Sequence, residues 1–351
     1  MIVSELIVRW YKSNKRFLPW REDLDPYKIW LSEIILQQTR VSQGSPYYVK
    51  FIESYPAISD LAAASIEDIL LLWQGLGYYS RARNLHKAAN IIVREFSSIF
   101  PDDYESIRSL PGIGDYTAAA IASLAFDLPY AAIDGNVYRL LARILGIEAP
   151  TDTTTGKKIF QKAADELLDK KNPGIHNQAM IELGALVCLP LNPKCNDCPL
   201  VKMCYAFNHD AVGDYPVRSK RSILSERFLY YLVIRKDNSI LIRQRSGKDI
   251  WALLFDFPVI ERKEPQDLSD MIHSLEWKKI FGNLPLTIRR VSGEYKHILS
   301  HQKLFAKFIE IEMDKPDICF PGLIKISLSD LEKYPFPRLL RRYLEKYTAS
   351  V

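Results

Sequence analysis

The sequence lacks any long apolar run and any recognisable targeting segment. No stretch of its 351 residues approaches the roughly 18 uninterrupted apolar residues that a transmembrane helix needs. No signal or transit segment opens the chain, so we expect a cytoplasmic location and no membrane partner. A strong charge of one sign is also missing, because the formal net charge is +5. Such a charge permits a nucleic-acid partner but equally suits ordinary solubility, so it decides nothing.

Strand patterns are absent from the region before residue 206. Apolar residues recur there at helical spacing, between clusters of Pro, Gly, Asp and Ser, in segments 3–10, 30–36, 66–73, 83–93, 117–124, 137–145 and 159–168. With 48% hydrophobic and 25% charged residues, the composition is that of a globular protein with room for two domains. The pattern predicts an all-α domain over residues 1–207.

The pattern changes after this helical region. Residues 208–227 are polar and basic, which indicates an exposed linker. Residues 228–235 and 239–245 then alternate with period two, like the strands of a hairpin. A helix is predicted near 266–275 and a further strand over 303–312. The sequence therefore predicts an α+β domain over residues 228–351.

Cysteine is scarce, and four of the five cysteines are clustered. Their spacing is C-x6-C-x2-C-x5-C, formed by Cys188, Cys195, Cys198 and Cys204. Four thiols this close are typical of a metal site, and sulfur ligands suit an iron–sulfur cluster or zinc. Zinc is the less favoured metal, because zinc ribbons prefer two C-x2-C pairs. Disulfides are disfavoured by the clustering and by the missing signal peptide.

Residues 110–139 combine a tight turn, a small-residue helix and a lone acid. Pro111, Gly112 and Gly114 predict a turn whose backbone amides point outward, and the next helix adds its free N-terminal amides. Such a device can bind phosphate without regard to base sequence. An ordinary joint between two helices is the alternative, so the bare turn does not decide. The downstream acid is Asp134, within IDGNV.

This run and the cysteine spacing resemble the helix-hairpin-helix/GPD superfamily of DNA glycosylases. The resemblance is closest to the adenine DNA glycosylase (MutY) family, through LPWR at 18–21, YKIWLSEIILQQTRV at 27–41 and WQGLGYYSRARNLHKAA at 73–89. It spans roughly residues 5–210. It implies a helical barrel lobe facing a second lobe across a cleft, and a [4Fe–4S] cluster on the four cysteines.

The resemblance also implies two catalytic carboxylates. Glu33 matches the general acid that protonates the departing adenine, which requires a pKa raised by an apolar pocket around Trp30 and Leu36. Asp134 matches the carboxylate that stays ionised and stabilises the cationic sugar, with Asn136 orienting it. The plainer alternatives are an exposed helix residue for Glu33 and a helix cap for Asp134.

A lysine is absent where lyase members of the superfamily carry one. The position just after the hairpin is Tyr116, which cannot form a Schiff base and is expected to lie beside the catalytic acids. This disfavours an endonuclease III-like glycosylase-lyase, as does the additional C-terminal domain. A non-catalytic iron–sulfur DNA-binding protein is disfavoured by the intact Glu33 and Asp134.

Other matched residues are expected to contact DNA once the target base has left the stack. By resemblance, Gln37, Gln38 and Thr39 fill the vacated place, and Tyr78 lies beside the oxidised guanine. Trp20 and Arg21 correspond to the adenine pocket. Tyr78 and Trp20 are also compatible with ordinary core positions.

The C-terminal domain resembles the Nudix-like module of adenine glycosylases, with LLFDFP at 253–258 as a strand. It lacks the acidic REXXEE helix that Nudix hydrolases use for Mg²⁺, so a recognition role is expected instead of pyrophosphatase activity. In HILSHQ, Ser300 and His301 match the family's 8-oxoguanine loop, while Leu299 replaces its phenylalanine. That change removes an aromatic contribution to positioning the loop and leaves the strength of discrimination open.

These observations lead to one functional expectation. The chain is expected to be a monofunctional, monomeric adenine DNA glycosylase of base excision repair, bacterial in type and associated with the nucleoid. Its partner would be double-stranded DNA with adenine opposite 8-oxoguanine or guanine.

Overall fold

The computed structural model describes residues 2–219, 224–246, 249–313 and 320–348. Part of the predicted linker, residues 220–223, therefore lies outside the described residues. The chain divides into two compact units. The helical unit comprises Met1–Ala64 and Arg83–Arg221, and the mixed unit comprises Ser65–Ala82 and Ser222–Val351.

The described residues up to 219 form helices and turns and contain no strand. The helices are α1 Ile2–Asn14, α2 Pro26–Leu36, α3 Val41–Ser54, α4 Ile58–Ala63, α5 Ile66–Leu72, α6 Ser80–Glu95, α7 Tyr104–Ser109, α8 Asp115–Phe126, α9 Gly135–Leu145, α10 Thr154–Leu167, α11 Pro173–Leu186 and α12 Tyr205–Asn208. Short 3-10 helices span Pro19–Arg21, Cys195–Asp197 and Val201–Met203. The predicted helical class of this region is confirmed. Helix α5 and the first residues of α6 belong to the mixed unit.

Small residues let α8 pack closely against its neighbours. Every residue of α8 from Thr117 to Ser123 is buried, and α8 packs on α2, α7 and α11. A Cβ on Gly174, in the first turn of α11, would lie 2.6 Å from the backbone oxygen of Ser123. The glycine is therefore needed for the close approach of α8 and α11, which brings α8 beside the acid that precedes α9.

Helix α9 is fixed by the core of the helical unit. Leu140 and Leu141 pack in one buried cluster with Ile7 of α1, Phe160 of α10 and Leu183 of α11. A cluster of this kind excludes water and leaves little freedom to the helix it surrounds. The N-terminus of α9 is consequently held at one place, and its capping residue with it.

The described residues of the mixed unit form an eight-stranded sheet. The strands are β1 Ser225–Lys236, β2 Ser239–Gln244, β3 Phe255–Asp256, β4 Val259–Arg262, β5 Leu286–Val291, β6 Tyr295–Ile298, β7 Gln302–Met313 and β8 Ile324–Ser327. The main order is β3-β2-β1-β7-β5, while β4 pairs with β1, β6 with β7 and β8 with β2. Strands β1 and β7 are parallel, and the other pairs are antiparallel.

Helices cover both faces of the central strands. On one face, Leu232 packs with Trp277 and Phe281 of α14 (Leu275–Phe281), which follows α13 (Leu268–Ile272). On the other face, the ring of Phe308 stacks on Tyr343 of α15 (Arg338–Thr348), with their centroids 3.9 Å apart. A 3-10 helix at Leu328–Lys333 precedes α15. Burial on two faces explains the unbroken apolar run of β1.

Two local predictions differ from the structure in this unit. The single helix predicted at 266–275 is two short helices, because the Ser274 hydroxyl accepts a hydrogen bond from the amide of Trp277 at 3.2 Å and starts α14. The strand predicted at 253–258 is limited to Phe255–Asp256, because Leu253 has a left-handed backbone with φ of 67°.

Candidate active site

A pocket of about 920 Å³ opens within the helical unit. It is bounded by the Pro19–Arg21 turn, α2 and the turn after it, and residues of α8, α9 and α11. Nine of the predicted site residues line it: Trp20, Arg21, Glu33, Gln37, Gln38, Thr39, Tyr116, Asp134 and Asn136. Residues separated by more than 100 positions in the chain are thereby brought to one place.

Glu33 lies on the face of α2 that borders this pocket. Ile29 and Leu36, at helical spacing from Glu33, line the same wall, and Ile133 adds apolar surface. Burial raises the pKa of Glu33 to about 7, the charge of Asp134 adds to the rise, and a hydrogen bond from Tyr116 opposes it. A carboxyl group with this pKa can hold a proton near neutral pH and give it up within the pocket.

Trp30, expected to form part of the apolar surroundings of Glu33, is not one of the residues that line the pocket. Its side chain is fully buried, with its ring centroid 5.6 Å from that of Phe100 and 6.3 Å from that of Tyr27. Nearly the whole circumference of α2 is buried, so an aromatic residue three positions from Glu33 can face the core instead of the pocket. Periodicity alone could not distinguish these two faces.

Tyr116, in the first turn of α8, connects that helix to Glu33. Burial raises the pKa of Tyr116 well above its ordinary value, and the charges of Glu33 and Asp134 act in the same direction. The phenol therefore stays protonated and donates its hydrogen bond to the Glu33 carboxyl group. Its hydroxyl can support a carboxylate but cannot become the amine of a Schiff base.

Asp134 caps α9 and faces the same pocket. One carboxylate oxygen accepts the backbone amides of Asn136 and Val137 at 2.9 and 2.8 Å, and the other accepts the Asn136 side-chain amide at 2.7 Å. The pKa of Asp134 is raised overall, because the effect of burial exceeds the opposing effects of these donors and of the charge of Arg139. Asp134 therefore both caps α9 and lines the pocket, and its hydrogen bonds hold the carboxylate in one orientation.

Arg139 extends this network beyond the pocket. Its guanidinium donates to the Asn136 side-chain oxygen at 2.9 Å and to the backbone oxygens of Gly184 at 2.7 Å and Cys188 at 2.7 Å. It therefore connects the residue that orients Asp134 with the first clustered cysteine. The sequence analysis missed this residue. The available signal was an arginine on the apolar face of α9, where a buried charge needs several partners.

A second buried ionic group shapes the opposite wall. The side chain of Glu182 on α11 is fully buried and accepts hydrogen bonds from Arg16 at 2.8 Å and from Arg21 at 2.9 Å. Burial alone would raise the pKa of Glu182, but these hydrogen bonds lower it to about 2. This contact fixes Arg21 at the pocket wall. The sequence analysis missed Arg16 and Glu182, for which a lone glutamate inside an apolar helix was the signal.

The turn after α2 forms the rim of the pocket. The Gln37 side-chain amide donates to the Thr117 hydroxyl at 3.2 Å, and the Thr39 amide donates to the backbone oxygen of Leu36 at 3.1 Å. Gln38 is exposed and has a left-handed backbone, with φ of 57°. This backbone conformation is uncommon for a residue other than glycine.

The two glycines of the hairpin turn have different requirements. Gly112 has φ of 83°, and a Cβ there would lie 2.8 Å from the Cβ of Asn84, so a side chain is excluded. Gly114 is extended, with φ of −100°, and a Cβ there would meet open space. The first α8 hydrogen bond runs from the Ala118 amide to the Gly114 oxygen, which leaves earlier amides outside the helical pattern. Beside them, Asp115 forms an ion pair with Arg108.

The four clustered cysteines share one largely apolar cavity of the helical unit. Cys188, Cys195, Cys198 and Cys204 line it together with Leu140, Ile144, Val187 and Phe207. None of the four forms a disulfide. The guanidinium of Arg143 contacts the Cys188 sulfur at 3.4 Å and donates to the backbone oxygen of Leu189 at 2.7 Å, which holds the loop against α9.

The four thiols that line the cavity are the donor type that an iron–sulfur cluster uses. Among the residues that the structure describes, no three His, Cys, Asp or Glu side chains converge closely enough to hold one metal ion. Zinc requires its ligands within about 2.0–2.3 Å of a single centre. A [4Fe–4S] cluster gives each thiolate its own iron and tolerates a wider separation of the sulfurs. Burial raises the pKa of the Cys198 thiol to about 11, which reflects the dry character of this cavity.

The remaining predicted residues lie in the mixed unit. Tyr78 is 48% exposed and follows Gly77 in a left-handed turn. Ser300 and His301 are exposed in the short loop between β6 and β7, where the Leu299 amide donates to the backbone oxygen of Gln302 at 2.8 Å. The Ser300 hydroxyl lies 3.3 Å from Nδ1 of His301.

The fold and the pocket define a class of DNA-repair protein, and comparisons of the sequence agree. The family described as HhH-GPD superfamily base excision DNA repair protein matches residues 31–165, and the NUDIX domain family matches residues 229–346. Among curated proteins, the adenine DNA glycosylase of Buchnera aphidicola (subsp. Schizaphis graminum) is 39% identical over 305 residues, which cover 86% of this chain and 84% of that protein. The Mus musculus adenine DNA glycosylase is 32% identical, with 88% and 70% covered.

The chain belongs to the adenine DNA glycosylase family. It is accordingly a base excision repair glycosylase, an enzyme that hydrolyses N-glycosidic bonds in DNA. The predicted family, fold class and enzyme class are confirmed by these matches. In the described residues, no helix is both long enough and apolar enough to cross a membrane.

Solved structures support the fold of the helical region. A thermostable thymine-DNA glycosylase superposes with a TM-score of 0.55 and 27% identity, covering 59% of this chain and 96% of that one. A non-covalent endonuclease III–DNA complex gives a TM-score of 0.52 at 21% identity, with 60% and 95% covered. At this identity, the similarity to endonuclease III concerns the fold alone and gives no support to a glycosylase-lyase activity.

Proposed function

We propose that this protein is a monofunctional glycosylase that removes adenine opposite 8-oxoguanine or guanine in duplex DNA and leaves an abasic site. The arrangement of Glu33, Tyr116 and Asp134 around one pocket carries the proposal. Named relatives of the chain are adenine DNA glycosylases, which supports adenine as the base removed.

Glu33 is the general acid of the proposed reaction. Adenine is a poor leaving group until one of its ring nitrogens is protonated, and a carboxyl group with a pKa of about 7 is well matched to that transfer. Tyr116 occupies one Glu33 oxygen as a donor, so the acidic proton of Glu33 is left for the base. Arg21, fixed by Glu182, would help to hold the extruded base against Trp20.

Asp134 stabilises the positive charge that develops on the sugar. Three hydrogen bonds hold its carboxylate in place, so little reorganisation is needed when charge appears. Asn136 keeps that orientation and is itself held by Arg139. Water then completes the hydrolysis, and no lysine is present at Tyr116 to divert the sugar into strand cleavage.

We propose that Cys188, Cys195, Cys198 and Cys204 hold a [4Fe–4S] cluster. When bound, the cluster supplies a rigid covalent tie across the loop and no electrons, since glycosidic hydrolysis transfers none. The tie would fix Cys188, whose backbone oxygen receives the hydrogen bond from Arg139. The clustered thiols and the dry cavity around them support this assignment.

Recognition of the lesion pair is assigned to several exposed elements. We propose that Gln37, Gln38 and Thr39 fill the gap left by the extruded adenine and that Tyr78 packs beside the opposite base. Ser300 and His301 contact 8-oxoguanine from the mixed unit. The amides near Gly112 and Gly114 bind backbone phosphate. In this scheme, residues 1–207 carry the catalytic residues and Tyr78, residues 208–227 form the linker, and residues 228–351 carry the contacts to 8-oxoguanine.

The same proposal covers the setting of the enzyme. Its partner is double-stranded DNA, it acts as a monomer, and it works in the bacterial cytoplasm in association with the nucleoid. The exposed, left-handed turns at Gln38 and Tyr78 support contact with a duplex.

Single-turnover base release tests the proposal. Duplexes with adenine opposite 8-oxoguanine are incubated with the protein, and strand breaks are compared with and without hot alkali. Breaks only after alkali are expected, because an abasic site needs base treatment to cleave. Breaks without alkali would favour a glycosylase-lyase, and no breaks with cluster-loaded protein would favour the binding-only alternative.

A further inference from the structure

The loop that carries Tyr78 has an unfavourable backbone conformation. Gly75, Gly77 and Tyr78 have φ of 105°, 73° and 48°. Glycine adopts such angles readily, but an aromatic residue does so only when its surroundings hold it there. Tyr78 nevertheless leaves almost half of its surface exposed. The contacts that hold this conformation therefore decide whether its ring is presented or collapses onto the protein.

Arg81 makes several contacts with this loop. Its guanidinium lies 5.6 Å from the ring centroid of Tyr78 and 5.1 Å from that of Trp73. It also donates to the backbone oxygen of Gly77 at 3.2 Å, and its amide donates to the backbone oxygen of Tyr78 at 2.9 Å. The Trp73 indole donates to the same Gly77 oxygen at 3.0 Å, so both side chains hold one peptide.

The adjacent residue anchors the loop to the rest of the mixed unit. Tyr79 is buried, and its hydroxyl donates to the backbone oxygen of Phe336 at 3.4 Å. The chain is thus fixed immediately after Tyr78, and the guanidinium of Arg81 lies over the ring of Tyr78. Removing Arg81 would leave the anchor intact but free the ring to rotate.

We propose that Arg81 is a positioning residue that presents Tyr78 to DNA. The guanidinium lies over the aromatic ring, and the exposed part of the ring is left for a nucleic-acid base. A cation held against an aromatic ring attracts it, and the planar guanidinium can stack where an ammonium cannot. The proposal rests on the proposed function, because it assigns to Tyr78 the place beside the base opposite adenine.

A double-mutant cycle in DNA binding tests this coupling. The proteins are wild type, Arg81→Met, Arg81→Lys, Tyr78→Ala and Tyr78→Ala with Arg81→Met. Each is titrated against duplexes with a non-cleavable adenosine analogue, fluorinated on its sugar, opposite 8-oxoguanine or guanine. Arg81→Met is expected to weaken the preference for 8-oxoguanine about five- to tenfold, the range of a partly desolvated cation–π contact. Arg81→Lys should recover only part of it, because lysine lacks the planar group.

The cycle separates a positioning role from a structural one. In the Tyr78→Ala background, Arg81→Met is expected to have no further effect on the preference, because the residue through which it acts is gone. Additive losses, or equal weakening on both duplexes, would overturn the proposal. Hydrogen exchange of the amides of residues 75–79 in DNA-free protein should also accelerate in Arg81→Met, and unchanged exchange would count against it.

Controls distinguish this result from failure of the proposed function. Arg94→Met removes an exposed arginine from the same helix, where its guanidinium donates to the Asn90 backbone oxygen at 3.3 Å, and should leave the preference unchanged. Adenine release by wild type is measured separately. Absent release with an intact binding cycle would defeat the catalytic proposal alone, whereas normal release with an additive cycle would defeat the role of Arg81.

Discussion

At the scale of single residues, Glu33 is buried and accepts a hydrogen bond from the Tyr116 hydroxyl. Its amide analogue, Glu33→Gln, keeps the shape and the contact with Tyr116 but has no proton to transfer. Adenine release should fall by about 10²–10⁴-fold, the usual contribution of a general acid. Binding of the lesion duplex should persist, measured by anisotropy on a non-cleavable duplex. Release at the wild-type rate would remove Glu33 from the role of acid.

The raised pKa of Glu33 also has consequences for stability. Folding favours the protonated form of Glu33. The contribution of this group to the free energy of unfolding is therefore fully present below about pH 4.5 and is lost as the pH rises through about 7. Glu33→Gln does not titrate, so relative to wild type it should gain stability between about pH 5 and pH 8, on the order of 3 kcal/mol at about 1.4 kcal/mol per pKa unit.

Chemical denaturation at the two pH values measures this difference. Glu166→Gln alters an exposed carboxylate of α10 that pairs with Lys162. It serves as the control and should show little pH-dependent gain. A constant difference between wild type and Glu33→Gln across this range would contradict the raised pKa.

At the scale of elements, the turn at Gly112 and Gly114 and the start of α8 carry a negative charge, Asp115, that would repel the proposed ligand, a DNA phosphate. Asp115 is 72% exposed beside the free amides of α8 and forms an ion pair with Arg108. Asp115→Asn removes a negative charge from the phosphate site and releases Arg108 for the DNA backbone. Binding to undamaged duplex should tighten several-fold, and its dependence on log salt should steepen by about one unit for the added phosphate contact.

A matched variant lies at the other end of the same helix. Asp127→Asn makes the same change of charge at the C-terminal cap of α8, about 18 Å away at about 1.5 Å per residue, and should have little effect on the salt slope. Equal slopes for the two variants would indicate that only net charge matters and that the hairpin amides do not bind phosphate.

The elements also show how far sequence reasoning reaches. The hairpin, α8 and the cap at Asp134 follow from glycine, small residues and an N-capping acid, all of which are local signals. The partners of Arg139 and Glu182 could not be predicted, because they join helices separated by about 40 or more positions. A buried charge in the sequence indicates that hydrogen-bond partners exist but does not indicate where in the chain they lie.

At the scale of the whole molecule, domain assignment from sequence has a physical limit. Residues 65–82 belong to the mixed unit although they lie within the helical part of the sequence. Their helix, α5, has the same apolar period wherever it packs, so periodicity cannot reveal its partner. The hydrogen bonds from Tyr79 to Phe336 and from Gln244 to Glu67 hold this segment within the mixed unit. Tyr78 and the loop between β6 and β7 that carries Ser300 and His301 (the lesion loop) are consequently parts of one compact unit.

The lesion loop gives the final prediction, because Leu299 departs from the family pattern. The loop is closed by the hydrogen bond from the Leu299 amide to the Gln302 oxygen, which any residue at 299 can make, so its backbone does not require an aromatic side chain. Ser300→Ala should reduce the preference for 8-oxoguanine over guanine in single-turnover adenine release, by about three- to tenfold for one lost hydrogen bond. Leu299→Phe should increase that preference while Ser300 is present. In the Ser300→Ala background it should leave the preference unchanged, because a more ordered loop acts only by positioning the Ser300 hydroxyl. Equal losses on both duplexes for Ser300→Ala would show a general weakening of binding and exclude a contact specific to the oxidised base.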